Sequence, residues 1–235
     1  LSQASLKAFR IALQERFGEN AKFQVLSSDD EADCERRAAQ LLFSDFVRNK
    51  HGAELSLLAG GGSSVQTFSE GVLASRTMPV KPKQAPVKKG MYSERQLAAA
   101  EIETQFRAEV ADPSPLPILR GYFVGMNAFV DISQLAFGER WLTLDELKKV
   151  LVQLEDDLLR KEDDPQRIGK GWKEAKTKWR ARVEELWPIG LVGSIRLRVL
   201  LETSFHESSQ FFFANAPPGA KAMDIVWPLG MRLKM

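Results

Sequence analysis

Apolar residues recur at helical spacing at Leu6, Phe9, Leu13 and Phe17, and Gly18 closes the run, so residues 3–17 read as an amphipathic helix. Residues 22–27 alternate and read as a short strand. Asp29 and Asp30 are placed to cap a helix carrying Ala38, Leu41, Leu42, Phe46 and Val47, which Gly52 ends. Residues 54–59 read as a second strand. It runs into Gly60, Gly61, Gly62, Ser63 and Ser64, after which Val65, Phe68 and Val72 fall on one helical face. Ser63 and Gln66 have capping-box spacing, which places a helix start there. Residues 22–75 therefore predict strand, helix, strand, glycine loop, helix, a βαβ unit with a parallel strand pair and one more helix.

From residue 77 to 90 the pattern changes. Pro79, Pro82 and Pro86 alternate with Lys81, Lys83, Lys88 and Lys89, a composition that forbids a helix and favours an extended linker. The chain thus divides into a small α/β region (1–76), a Pro/Lys linker (77–90) and a mainly helical region (91–235). Ser93 and Gln96 open a helix to about Val110, with Leu97, Ala100, Ile102 and Phe106 on its inner face. Residues 121–137 are largely apolar and read as a buried helix. Thr143 and Glu146 form a capping box before Leu144, Leu147, Leu151, Leu154 and Leu158, the seam of a coiled-coil-like helix. A second helix over 170–187, stopped by Pro188, carries Trp172, Trp179 and Trp187 and should fold back as an antiparallel hairpin. Residues 194–199 alternate like a strand, although their flanks could extend a helix, and residues 223–227 and 231–235 could pair around Pro228 as a C-terminal β-hairpin. The fold class expected is α+β and helix-rich: an N-terminal βαβα unit, then the helical hairpin.

Composition narrows the function classes. The 235 residues carry a net charge of +2, so no global field draws in a polyanion or an acidic membrane. Cys34 is the single cysteine and His51 and His206 are the only histidines, which excludes a disulfide framework and a Cys-rich metal site. No apolar run approaches the roughly 20 residues of a membrane span. These features suit an intracellular, reducing compartment, and a chain opening on Leu1 suits a processed N-terminus.

The strongest ligand candidate is the loop Gly60, Gly61, Gly62, Ser63 and Ser64. A strand entering glycines and then a helix would aim backbone N–H groups and serine hydroxyls at a phosphate or carboxylate. The loop is neither G-x-x-x-x-G-K-[ST] nor G-x-G-x-x-G, so neither a nucleoside triphosphate nor a dinucleotide is implied. With its flanking elements, residues 22–75 resemble the opening of the family of 6-phosphogluconolactonase and glucosamine-6-phosphate deaminase. The resemblance implies that Gly61, Gly62, Ser63 and Ser64 contact a substrate phosphate. The Pro/Lys stretch stands where that family needs its next strand.

No residue set makes a catalytic motif, a metal site or a cofactor site. The leading expectation is a non-enzymatic structural or adaptor subunit of a larger assembly, with a ribonucleoprotein among the candidates. Its partner-binding residues would be Trp172, Trp179 and Trp187 on the hairpin, Lys81, Lys83, Lys88 and Lys89 on the linker, and Phe211, Phe212 and Phe213. The lysines also offer a patch to RNA. The alternative is binding or turnover of a phosphorylated metabolite at residues 60–64.

Overall fold

A computed structural model describes residues 27–60, 64–77, 92–111, 118–160 and 183–219, together with Lys7, Ile11 and Glu15. The expected strand at 22–27 except Ser27, most of the helix at 3–17, the linker from residue 78 on, the helix at 170–182 and the C-terminal hairpin lie outside the described residues.

Ser27 starts the first helix, α1 (Ser28–His51), by accepting the Asp30 N–H on its hydroxyl at 3.1 Å. Asp29, Asp30 and Glu31 fill the first turn, and Gly52 ends the helix in the left-handed conformation. Strand β1 (Leu55–Gly60) follows, buried along its whole length. Here the chain departs from expectation. Val65, Phe68 and Val72 do not share a helix; they lie on the hairpin β2 (Ser64–Ser69) and β3 (Val72–Thr77). Glu70 and Gly71 have φ of 51° and 80°, the paired positive values of a tight two-residue hairpin turn. Three residues at helical spacing also fit two strands when such a turn separates them, and the turn is the stronger signal.

Helix α2 (Tyr92–Ala111) is where the sequence places it. The apolar run 121–137 splits into strand β4 (Tyr122–Asn127) and helix α3 (Ala128–Ala136) instead of forming one helix. Tertiary packing suits the strand at Gly125. A Cβ there would stand 2.1 Å from the Phe213 ring, so the glycine lets two strands pack closely. After the short β5 (Leu142–Thr143), Thr143 and Glu146 make both capping-box bonds at the start of α4 (Leu144–Arg160). Helix α5 (Val183–Ser204) continues through Pro188 and takes in the expected strand at 194–199. Strand β6 (Gln210–Phe213) closes the described chain.

The strands form one mixed sheet in the order β3-β2-β1-β4-β6-β5, with β1, β4 and β6 parallel. Strands from both sides of residues 77–90 therefore pair directly, Leu57 opposite Val124. Helix α1 covers one face, where Ala38, Phe43 and Val47 meet Leu57, Ala59, Val124, Met126 and Phe212. Helices α2, α3, α4 and α5 cover the other, against Leu58, Phe123, Phe211 and Phe213. The alternation of β6 sends Phe212 to one core and Phe211 and Phe213 to the other. All three are 2% exposed or less. The expectation that they form a partner surface is thus corrected: a sheet covered on both faces needs consecutive apolar residues.

Candidate functional site

Three parallel strands end on the same rim of the sheet. After β1 the chain turns to β2 on one side; after β4 it leaves through α3 toward β5 and β6 on the other. The carboxyl ends of parallel strands are the usual ligand position in sheets of this kind. Gly60 and Asn127 are register partners at that rim, and Asn215 follows β6 beside them.

Gly60 is required by close approach. A Cβ there would sit 2.5 Å from Cε2 of Phe129, in the first turn of α3. The missing side chain lets Phe129 lie on the end of β1, so the turn that begins at Gly60 starts beside the N-terminal end of α3. That turn connects strand to strand, not strand to helix as the sequence suggested. Gly61, Gly62 and Ser63 lie outside the described residues, and Ser64 opens β2.

Asn127 joins β4 to α3 at φ 59°, ψ −126°, a region costly for a residue with a side chain. Two hydrogen bonds hold it there. Its backbone N–H donates to Oδ1 of Asn215 at 3.2 Å, and its Nδ2 donates to Oε1 of Glu35 at 2.5 Å. Glu35 reaches the rim from α1 and is 3% exposed. Burial raises its carboxyl to about 7; the nearby Glu31 adds to the rise, and the Asn127 bond opposes it. Neutral pH therefore leaves this acid divided between its protonated and ionised forms.

Of the loop expected to bind a ligand, Gly60 and Ser64 border this rim, while Glu35, Asn127 and Asn215 were not among the residues expected from the sequence. These three are far apart in the chain, and only the parallel pairing of β1, β4 and β6 collects them. Of the other residues expected to bind, Trp172, Trp179, Lys81, Lys83, Lys88 and Lys89 lie outside the described residues, and Trp187 lies within the span of α5. His51 is half-buried at the end of α1, stacked on Tyr122 at 4.1 Å and edge-on to Trp141 at 4.5 Å. Burial, then Lys50, lowers its pKa. Among the described residues no group of three or more His, Cys, Asp or Glu side chains is placed to hold a metal. Nor is any helix among them long and apolar enough to cross a membrane.

No protein-family profile matches the sequence. No curated protein matches it either. Solved structures do match. The Aquifex aeolicus PPX-GPPA enzyme aligns over 98% of this chain and 71% of its own, with a TM-score of 0.56 and 14% identity. A crystal structure of an exopolyphosphatase-like protein aligns over 98% and 73%, with a TM-score of 0.57 and 15% identity. The chain has the fold of these structures. That likeness, across nearly the whole chain, replaces the local resemblance to 6-phosphogluconolactonase and glucosamine-6-phosphate deaminase. The reason is physical: that resemblance needed a helix after the glycine loop, and the chain makes a hairpin. It also removes the adaptor-subunit expectation, because both whole-chain matches are to an enzyme or an enzyme-like protein, and the phenylalanines offered as an interface are core.

Proposed function

We propose that this chain binds an anionic phosphorylated ligand of the polyphosphate class at the rim formed by Gly60–Ser64, Asn127 and Asn215. The observation that carries the reading is the pinned joint at Asn127. A non-glycine residue at positive φ, fixed by Asn215 and by the buried Glu35, stands opposite the glycine that opens the loop. Strain of this kind persists where a site needs a set backbone. The fold likeness to an exopolyphosphatase-like protein supports the ligand class. The glycine and serine content of residues 60–64 supplies donors suited to phosphate oxygens. Lys81, Lys83, Lys88 and Lys89 suit a polyanion as well as they suit RNA.

Titration calorimetry with long-chain polyphosphate tests this, alongside an assay for released phosphate. Binding should weaken about tenfold or more in Gly61→Val and Ser63→Asp, which respectively crowd the loop and add a like charge. Binding that is absent from the parent chain, or unchanged from the parent in both variants, would overturn the proposal.

A further inference from the structure

At the opposite end of β4 from Asn127, the last residue of α1 meets two aromatic rings. The imidazole of His51 lies on Tyr122 with 23° between the planes and stands edge-on to Trp141, and the Tyr122 and Trp141 centroids are 6.0 Å apart. Nε2 of His51 and Nε1 of Trp141 are both closed off from solvent, and neither has a hydrogen-bond partner among the described residues. The indole nitrogen can only donate. In one neutral tautomer Nε2 of His51 carries no hydrogen, so a single buried donor stands unmet. Protonation puts a hydrogen on Nε2 and a charge on the ring, and two buried donors then share one cluster without an acceptor.

The surrounding charges work in the same direction. From β4 the group facing His51 is Tyr122, and that strand holds no charged residue. From the segment leading into β5 it is Trp141, whose neighbours Glu139 and Arg140 are exposed, as is Glu54 before β1. On α1 it is Lys50, and burial followed by Lys50 disfavours the charged ring. The aromatic faces would attract a cation. Lys50 Nζ, however, already stands over the Trp141 ring, 6.0 Å from its centroid.

We infer that His51 is a proton-operated latch: neutral, its ring fastens the last turn of α1 to Tyr122 and Trp141; protonated, it leaves them and frees that turn. The latch needs no ligand at the Asn127 rim. Its direction follows from linkage. The packed ring holds its proton less well than a free one, whose value is 6.5. The closed form is therefore fully favoured above that value and loses ground as pH falls toward the lower value of the packed ring. Within that window the opening equilibrium rises by up to about tenfold for each pH unit.

NMR and hydrogen exchange on the full chain test this. Only two histidines are present, so the His51 ring signals can be assigned and followed directly. They should titrate with a midpoint below 6.5 and lose the ring-current displacement caused by Tyr122 as they do so. The amides of residues 48–51, corrected for intrinsic exchange, should open about tenfold more often at about pH 5 than at about pH 7. A midpoint at or above 6.5, the result if attraction to the aromatic faces prevailed, would overturn the latch. So would ring contacts that persist below the midpoint. In His51→Phe, uncharged at every pH, the acid-driven opening should vanish, and its survival would assign the opening to another group. Glu35 also titrates near neutral pH, but it stands about 24 Å away along α1 and is retained in the variant. The ring measurements use the parent chain, so they decide the matter even if His51→Phe fails to fold.

Discussion

At the scale of single residues, two glycines are explained by what lies against them, not by the turns they suggest. Gly125 accommodates Phe213 and Gly60 accommodates Phe129. In Gly60→Ala the added methyl would stand 2.5 Å from the ring. The ring is the rigid part of Phe129 and sits in a core with little room to give. The substitution should cost about 1–3 kcal/mol, the usual range for overpacking, read as a lower urea midpoint. Gly60→Ala combined with Phe129→Leu should recover part of that loss, because the smaller side chain vacates the contested space. Failure of the double variant to recover any stability would mean that the cost lies in the loop and not in the contact. The distinction bears on function, since the Phe129 contact is what brings α3 to the start of the loop.

At the scale of elements, the sequence was readable where one element carries its own start, face and stop. Helix α4 has its capping box in Thr143 and Glu146 and its leucine seam, and both are present in the structure. Helices α1 and α2 lie where the pattern places them, but their faces were read only in part: Leu41 is 58% exposed, and Leu97 and Ala100, expected on the inner face of α2, are exposed while Ile102 and Phe106 are buried. The errors fell where a short apolar stretch fits two periods. Val65, Phe68 and Val72 satisfied a helical stripe, and the Glu70-Gly71 turn between the last two was passed over. Residues 121–137 fit one helix because the run is largely apolar; the joint at Asn127 is stabilised by Asn215 and Glu35, which local reading cannot supply. The candidate site was half legible for that reason. Its glycines announce themselves, and its acid and amides are gathered only by the sheet. The hairpin reading has its own test. Gly71 has φ 80° and open space around a prospective Cβ, so Gly71→Ala meets no clash and pays only for its backbone conformation. The expected loss is about 1 kcal/mol in urea unfolding. A neutral or stabilising effect would argue against the turn geometry and hence against β2 and β3.

At the scale of the whole molecule, the three longest helices on one face are joined by charge as well as by apolar packing. Arg198 on α5 meets Glu155 on α4 at 3.0 Å and Glu103 on α2 at 2.7 Å, with Arg107 bonding both Glu103 and Glu202. Arg198 and Glu155 are nearly buried, 12% and 11% exposed. Burial works against the charge of Arg198, but its bonds to Glu103 and Glu155 outweigh burial and hold the guanidinium above its ordinary value. Burial pushes the Glu155 carboxyl up, against the pull of Arg198. Removing one partner from such a cluster leaves an uncompensated buried charge. Arg198→Met should therefore cost about 3–5 kcal/mol, and adding Glu155→Leu should restore much of it, since well-packed apolar replacements of buried pairs are often neutral. The pH dependence gives an independent reading. The Arg198 bond, helped by Arg107, lowers Glu103 from 4.5 to about 2. A carboxylate whose folded pKa is depressed stabilises the fold above its unfolded pKa and loses that contribution as pH falls toward the folded value. Parent stability should thus decline between about pH 4.5 and about pH 2 through this group, and the decline should be shallower in Arg198→Met, which takes away the largest cause of the depression. An acid limb equally steep in the variant would place the acid sensitivity on other carboxylates and reduce the cluster to a packing contact among α2, α4 and α5.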